Sequence, residues 1–234
     1  MVLPFFYLSS YEPGAKEIDL DEDNSRHIVQ VLRMQAGDPL QLTDGRGNLL
    51  QAVIAEAHKK KCRVQVTAAT FHPRREKEVR IAISLLKNAT RFEWFLEKAT
   101  EMGVTGIIPL LCQRTERSHF RQDRMQNILV SAMLQSQQAW LPDLRPPTPF
   151  QDMVAGAPPG RRLIAHCLEE QRMSLAETGN GNAGSLILIG PEGDFTKEEI
   201  GEALQQGFRP VILGETRLRT ETAGVVAAAL LCIG

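Results

Sequence analysis

Residues 186–195 read Leu-Ile-Leu-Ile-Gly-Pro-Glu-Gly-Asp-Phe, a short apolar run that ends in a glycine-rich loop. Thr196 and Glu199 follow at the spacing of a capping box, which predicts that a helix begins there. Residues 210–223 repeat this arrangement, because an apolar run again leads through a polar loop into a helix. Continuous apolar strands followed by helices are typical of a parallel sheet with helices on both faces. Ligands of such sheets bind at the carboxyl ends of the strands, so both loops are candidate site loops.

The same alternation of strands and helices extends over the chain from about residue 79 onward. Besides the two strands before the loops, apolar runs predict strands at 79–86, 107–111 and 162–166. Apolar residues at helical spacing predict helices at 91–102, 121–138, 196–206 and 220–232. We therefore predict an α/β architecture for this part of the chain.

The first 70 or so residues have a different pattern, typical of a small β-rich domain. A turn-rich stretch at 44–48 separates apolar runs at 39–42 and 49–54, which predicts a hairpin. Alternation at 63–67 predicts another strand, and apolar spacing predicts one helix at 25–34. The stretch at 70–79 is charged and contains a proline, so we expect domains at 1–72 and 73–234.

Composition excludes several classes of protein. The chain has 234 residues, 43% hydrophobic and 24% charged, which excludes a disordered, collagenous or disulfide-scaffold protein. Its longest apolar run, 225–233, is far shorter than the ~20 residues of a membrane-spanning helix, and its start lacks the features of a secretory signal. The four cysteines and five histidines are scattered, so we expect reduced, buried thiols, no metal site and a cytoplasmic protein.

The formal net charge of −1 argues at first against a nucleic-acid partner, but the charge is unevenly distributed. Residues 74–124 carry 11 basic and 7 acidic side chains, whereas residues 125–234 carry 8 basic and 12 acidic ones. The basic block is compatible both with a solvated linker and with a surface that faces phosphates. The glycine loops match neither the dinucleotide nor the P-loop pattern, and no G-x-S-x-G elbow occurs.

Several stretches resemble one family in their order and spacing. They are Glu-Lys-Ala-Thr-Glu-Met-Gly-Val at 97–104, Ile-Gly-Pro-Glu-Gly at 189–193, Leu-Gly at 213–214 and Leu-Arg-Thr-Glu-Thr-Ala at 218–223, with weaker matches at 26–27, 31–33 and 115–118. On these residues the chain resembles the RsmE family of bacterial 16S rRNA (uracil-N3) methyltransferases, of the SPOUT superfamily. The resemblance covers both predicted domains.

The resemblance implies a SPOUT-type, trefoil-knotted parallel sheet with helices on both faces, preceded by a small PUA-like β-barrel domain that helps to bind RNA. It implies S-adenosylmethionine as cofactor, S-adenosylhomocysteine as product, a homodimer, and 16S rRNA of the small ribosomal subunit as partner. By the same resemblance, the cofactor contacts are Leu168, Ile189, Gly190, Pro191, Glu192, Gly193, Leu213, Gly214, Leu218 and Thr220.

Methylation at uracil N3 needs deprotonation of a weakly acidic N–H and alignment of the reactants, whereas attack through a pyrimidine carbon would need a nucleophile such as cysteine. Neither signature loop contains a cysteine. Arg219 is the first candidate for stabilising the developing anion, and Glu221 is the first candidate for the base. Alternatively, Arg219 binds an RNA phosphate and Glu221 stabilises the N-terminus of the last helix.

RNA contacts are assigned to six basic residues, namely Arg26, His27, Arg33, Arg91, Arg114 and Arg117. A structural role is an equal alternative for His27. The chain departs from the family pattern at Leu134 and Gln138, where relatives often have a carboxylate and an arginine, and at Asp194, where the usual residue is a second glycine.

Three other functions stay open on the sequence. A related SPOUT enzyme would methylate another rRNA or tRNA position, and analysis of the modified nucleoside would identify it. A non-catalytic RNA-binding assembly factor would not bind S-adenosylmethionine. An unrelated α/β enzyme acting on a small molecule would not bind RNA.

Overall fold

The computed structural model describes residues 3–116, 119–168, 172–178 and 184–233. It divides into two compact units, Met1–Arg74 with Met133–Leu141, and Arg75–Ala132 with Pro142–Gly234. The division into domains at 1–72 and 73–234 stays a prediction, and the return of the chain to the first unit at 133–141 was not foreseen from the sequence. No helix in the described ranges is long and apolar enough to cross a membrane.

The first unit is built on a five-stranded sheet in the order β1-β3-β4-β5-β2. The strands are β1 (Phe5–Tyr7), β2 (Glu17–Asp19), β3 (Pro39–Thr43), β4 (Asn48–Glu56) and β5 (Arg63–Phe71). The pairs are antiparallel except β1 with β3, and alternate residues such as Leu40, Leu42 and Leu50 are fully buried. The predicted hairpin is confirmed, and Asp44 closes its turn by accepting a 2.8 Å hydrogen bond from the Arg46 backbone N–H.

The helix predicted at 25–34 is replaced by two short elements, α1 (Glu22–Arg26) and a π-helical turn (His27–Val31). Asp21 caps α1 by accepting a hydrogen bond from the backbone of Asn24 at 2.8 Å, so the helix begins earlier than its apolar residues suggest. The boundaries of the prediction were therefore wrong, because apolar spacing reports neither caps nor π geometry.

The segment Met133–Leu141 packs on the hairpin turn of the first unit. The Leu141 backbone N–H donates to the Gly45 carbonyl oxygen at 2.9 Å, and the Trp140 indole N–H donates to the His72 carbonyl at 2.8 Å. Gly47, at φ +96°, makes room for this contact, since a Cβ there would lie 2.6 Å from the His72 carbonyl oxygen and 2.7 Å from the Trp140 ring.

The second unit contains an eight-stranded sheet in which every described pair is parallel, as predicted. Its order is β11-β13-β10-β12-β6-β7-β8, and β9 also pairs with β7. The strands are β6 (Val79–Ser84), β7 (Gly106–Leu111), β8 (Asp143–Leu144), β9 (Thr148–Pro149), β10 (Arg161–Ala165), β11 (Met173–Ser174), β12 (Ser185–Ile189) and β13 (Arg209–Ile212). The order places β10 between β12 and β13.

Helices cover both faces of this sheet, and they are α2 (Ala89–Glu101), α3 (Gln122–Gln135), α4 (Phe150–Ala155), α5 (Lys197–Gln205) and α6 (Thr220–Cys232). Ala82, Leu186 and Leu188 form one core with α4 and α5. Ile83 points to the other face, where it meets α6. The capping box of Thr196 and Glu199 is confirmed, and the short helix α4 was missed because its six residues give too little periodicity to recognise.

Gly224 sets the distance between α6 and the sheet, and its replacement tests this packing. A Cβ there would lie 2.6 Å from the Phe95 ring and 2.8 Å from Ile83 Cδ1, both fully buried. We expect Gly224→Ala to lower the free energy of unfolding by about 1–3 kcal/mol, because overpacking outweighs the helix propensity of alanine.

Gly201→Ala is the matched control, since Gly201 lies within α5 and a Cβ there meets no atom within 4 Å. We expect this variant to be unchanged or more stable by up to about 1 kcal/mol. Denaturant unfolding would measure both. An equal response of the two variants would contradict the close packing of α6.

Candidate cofactor site

A cavity of about 640 Å³ lies at the carboxyl ends of β10, β12 and β13 in the second unit. Its walls are the segments that follow these strands together with the start of α6. The strand ends contribute Ala165, Ile189, Val211 and Ile212. The segments beyond them contribute His166, Cys167 and Arg172 after β10, residues 190–192 and 194 after β12, and residues 213–220 with Ala223 after β13. Residues far apart in sequence meet here because parallel strands present their carboxyl ends at one edge of the sheet.

The loop after β12 is held tightly against the core. A Cβ on Gly190 would lie 3.1 Å from the Phe195 backbone nitrogen and 3.0 Å from its ring, so a larger residue here would crowd Phe195. The Asp194 N–H donates to the Pro191 carbonyl at 2.9 Å and closes a turn. Phe195 is buried against Phe150 at a centroid distance of 5.5 Å, which anchors the end of the loop in the core.

The N-terminus of α6 opens onto the cavity, where Thr220 and Ala223 line the wall. The first turn of a helix carries unpaired N–H groups and partial positive charge, so this end favours anionic or hydrogen-bond-accepting groups. Arg219 is the N-cap residue and also lines the cavity, with an exposed side chain. No carboxylate in the described ranges forms an ion pair with it.

Opposite charges line the same cavity. Its basic residues are Arg172, Arg217 and Arg219, and its acidic residues are Glu192, Asp194 and Glu215. The Arg172 guanidinium donates to the His166 carbonyl at 2.6 Å, which fixes it beside the loop after β10. The sequence analysis missed Arg172 because no local motif surrounds it.

A buried carboxylate connects the loop after β7 to α5. Glu199, 3% exposed, accepts hydrogen bonds from the backbone N–H groups of Gln113 at 2.8 Å and Thr196 at 2.9 Å. From the same loop, Arg114 donates to the Gly193 carbonyl at 2.6 Å. The loops around the cavity are therefore joined by side-chain bonds as well as by the sheet.

Most of the residues predicted for the cofactor come together in this cavity. Its lining includes Ile189, Gly190, Pro191, Glu192, Leu213, Gly214, Leu218 and Thr220. Leu168 and Gly193 are not among the lining residues, since Leu168 packs against the core and the Gly193 carbonyl accepts the bond from Arg114. The cofactor roles of all ten stay predictions.

Glu221 does not line the cavity although its neighbours do. Its side chain is 8% exposed, and one carboxylate oxygen lies 3.7 Å from Arg91 Nε at the start of α2. The other oxygen, Oε2, is buried and has no hydrogen-bond partner among the described residues. The structure thus pairs a candidate base with a candidate RNA contact.

The other predicted RNA contacts lie in both units. Arg26, His27 and Arg33 are exposed in the first unit, where Arg26 pairs with Asp23 at 3.3 Å and His27 packs edge-on against Phe6. Arg114, in the second unit, is exposed but holds Gly193, and Arg117 lies outside the described residues. No grouping of metal-binding side chains occurs in the part of the chain that the structure describes.

Comparison with known proteins assigns the family. A family model described as an RNA methyltransferase domain matches residues 73–232, and one described as an RNA methyltransferase PUA domain matches residues 20–67. A Synechocystis protein named ribosomal RNA small subunit methyltransferase E is 30% identical over 87% of this chain and 68% of its own length. The chain belongs to the RsmE family of RNA methyltransferases.

Solved structures support the RsmE fold. A probable rRNA-methyltransferase from Porphyromonas gingivalis is 42% identical, with a TM-score of 0.90 over 97% of this chain and 95% of that one. A ribosomal RNA small subunit methyltransferase E from Neisseria gonorrhoeae, crystallised with S-adenosyl methionine, is 27% identical, with a TM-score of 0.88 over 97% and 96% of the two chains. The predicted parallel sheet with helices and the PUA-like domain are confirmed, and the trefoil knot stays a prediction.

The cavity of this RsmE protein fits S-adenosylmethionine. Ile189, Pro191, Leu213 and Leu218 offer apolar surface to an adenine ring, and the strand ends offer main-chain donors and acceptors. Arginines and carboxylates on the wall suit the amino-acid end and the sulfonium. The volume is in the range of cofactor pockets.

The expectation of four buried cysteines is confirmed for Cys62 and Cys112. It was wrong for Cys167, which is exposed on the cavity wall because it lies in the loop after β10, and for Cys232, which is only partly buried. Burial raises the pKa of the Cys112 thiol to about 12 and that of Cys232 to about 11, and it also raises the pKa of Cys62. The thiolate is the reactive form, so we expect these three thiols to react slowly at pH 8.

Cys167 provides a test of the cavity. At pH 8 we expect a maleimide to modify one thiol per native chain rapidly, and Cys167→Ser to remove that rapid phase. Saturating S-adenosylmethionine should slow the modification at least about tenfold, because a ligand in the cavity covers the thiol. Mass spectrometry of the labelled protein measures both effects. Rapid labelling of Cys112, or no protection by the cofactor, would contradict this description of the site.

Proposed function

We propose that this protein transfers the methyl group of S-adenosylmethionine to N3 of a uracil in 16S rRNA of the small ribosomal subunit. The observation that carries the proposal is the cavity at the carboxyl ends of β10, β12 and β13, where the two family loops meet. The names of the relatives and the cofactor bound in the Neisseria structure support the substrate and the cofactor.

The bound cofactor supplies an electrophilic methyl group, and the chain has to orient the uracil and favour loss of its N3 proton. Arg219 lies at the N-terminus of α6, where its guanidinium and the helix end both stabilise negative charge developing on the base. The absence of a carboxylate partner among the described residues leaves this charge available. We therefore assign Arg219 the electrostatic role.

Glu221 has two candidate roles in this proposal, that of a base and that of a positioning residue. Its location off the wall and its 3.7 Å contact with Arg91 favour positioning. A buried carboxylate beside a half-exposed guanidinium restrains that guanidinium, and Arg91 then presents its remaining N–H groups for an RNA phosphate. In this assignment Glu221 acts through Arg91 and does not take the N3 proton.

RNA binding extends to the exposed basic residues of the PUA-like unit, Arg26, His27 and Arg33. The N3 atom is hidden in a Watson–Crick pair, so the target uracil must be unpaired or flipped out.

A trefoil knot and a homodimer complete the proposal, and family membership supports both. Exposed Trp94 on α2 and Ile233 after α6 are apolar side chains that a second copy would cover. We place the protein in the cytoplasm, with the ribosomal subunits it would modify.

Nucleoside mass spectrometry tests the proposed reaction. 16S rRNA from cells that lack this protein should lose 3-methyluridine, and purified protein with S-adenosylmethionine should restore it to their small subunits. Persistence of the nucleoside would refute the assignment. A different methylated nucleoside would indicate a related enzyme, and failure to bind the cofactor in calorimetry would indicate an assembly factor.

Arg219 variants test the electrostatic role. We expect Arg219→Ala to lower the single-turnover methylation rate at saturating RNA about 100-fold, with partial recovery in Arg219→Lys. Arg209→Ala removes the same charge from β13 outside the cavity, and we expect it to stay within about twofold of wild type. A near-normal rate for Arg219→Ala would overturn the assignment.

Glu221→Gln separates positioning from base catalysis. If Glu221 positions Arg91, the substitution raises KM for RNA about threefold to tenfold, leaves the shape of the pH–rate profile unchanged, and is not additive with Arg91→Ala. If Glu221 is the base, kcat falls and the acidic limb of the profile disappears. Steady-state kinetics across pH, with both single variants and the double variant, measure the difference.

A further inference from the structure

Asp194 occupies a backbone conformation that favours glycine. Its φ is +65°, in the left-handed region, and its N–H closes the turn with the Pro191 carbonyl at 2.9 Å. A residue that costs backbone strain at such a position needs a compensating interaction, and the contacts of its side chain supply one.

The Asp194 carboxylate accepts two hydrogen bonds of 2.8 Å, one on each oxygen. Oδ1 accepts from the backbone N–H of Phe195, the next residue of the same loop, and Oδ2 accepts from the backbone N–H of Cys167. Cys167 belongs to the loop after β10 and also lines the cavity. Asp194 therefore joins two loops of the cavity lining that are 27 residues apart in sequence.

The bond between Asp194 and Cys167 lies beyond the end of the pairing between β10 and β12. β10 and β12 are paired up to Ala165 and Ile189, and beyond these residues no strand bond holds the two loops together. On its other side, the loop after β12 is held through Gly193 by Arg114. Within the described residues, the bond from the Cys167 N–H to Asp194 thus links the loops after β10 and β12.

We infer that Asp194 is a positioning residue that holds the loop after β12 and the loop after β10 in place at the cofactor cavity by joining them. This inference rests on the proposed function, since it takes S-adenosylmethionine as the ligand. The carboxylate preorganises both loops, so that binding does not have to order them.

Two variants at Asp194 distinguish the effect of losing the carboxylate hydrogen bonds from the effect of the positive φ. Asp194→Gly removes the carboxylate and adopts positive φ without strain, so it should not lower the thermal midpoint. Asp194→Asn tolerates the same φ and keeps the size, but it has one acceptor oxygen and presents an NH₂ group to the other N–H. Glu202→Gln, on α5 outside the cavity, removes one negative charge as a control.

We expect both Asp194 variants to raise the Kd for S-adenosylmethionine about fivefold to tenfold in calorimetry, with kcat recovered at saturating cofactor and KM for RNA unchanged. Without cofactor, hydrogen exchange at the Cys167 amide should become faster in both variants, and Glu202→Gln should match wild type.

The outcomes distinguish this inference from the proposed function. If wild-type protein does not bind S-adenosylmethionine, the proposed function fails, whereas the exchange measurement still tests the link. If wild type binds but Asp194→Gly binds equally well, the inference is wrong and the proposed function stands. If Asp194→Gly lowers the thermal midpoint and reduces kcat and cofactor affinity equally, Asp194 has a merely structural role. That result also overturns the inference.

Discussion

The hydrogen bonding of β10 between β12 and β13 is the constraint on which the site depends. Each of the three strands is short, and each ends in a loop that lines the cavity. Because all three run parallel, their loops emerge at one edge, and a cavity forms there from residues between 165 and 223. Without this pairing, the glycine loops would be ordinary surface turns.

The parallel edge brings loops together, but side chains determine how closely they approach. Glu199 satisfies two backbone N–H groups from different segments in a buried environment, and Arg114 reaches across to a third segment. Charge-assisted hydrogen bonds of this kind are stronger than neutral ones, and an unpaired buried donor is costly. The loops around the cavity are consequently held before any ligand binds, which lowers the cost of ordering them on binding.

Local patterns were sufficient to predict the longer strands and helices of the second unit, which begin and end within a few residues of the expected positions, but they did not predict β8, β9, β11 or α4. Apolar runs report burial, and caps such as Thr196 report helix starts, so both are visible in a short window of sequence. The return of 133–141 to the first unit and the place of Arg172 were not visible, because both depend on contacts between distant segments. The family motifs indicated the cavity loops, yet only the fold showed that Glu221 faces Arg91 and not the cavity.

Charge illustrates why arrangement matters more than composition for this protein. A net charge of −1 would not attract a polyanion, but electrostatic attraction decays over about 8–10 Å in physiological salt, so an RNA phosphate responds only to nearby groups. Arg219, on the cavity wall, forms no ion pair with any carboxylate of the described residues. By contrast, Arg91 is restrained by Glu221, and Arg114 donates a hydrogen bond to a loop carbonyl. Arginines of equal formal charge therefore have different roles, since a side chain engaged in holding the site contributes less to binding a partner. The acidic side chains that cancel the charge of the whole chain act locally as well, because Asp194, Glu199 and Glu221 each engage a neighbouring segment.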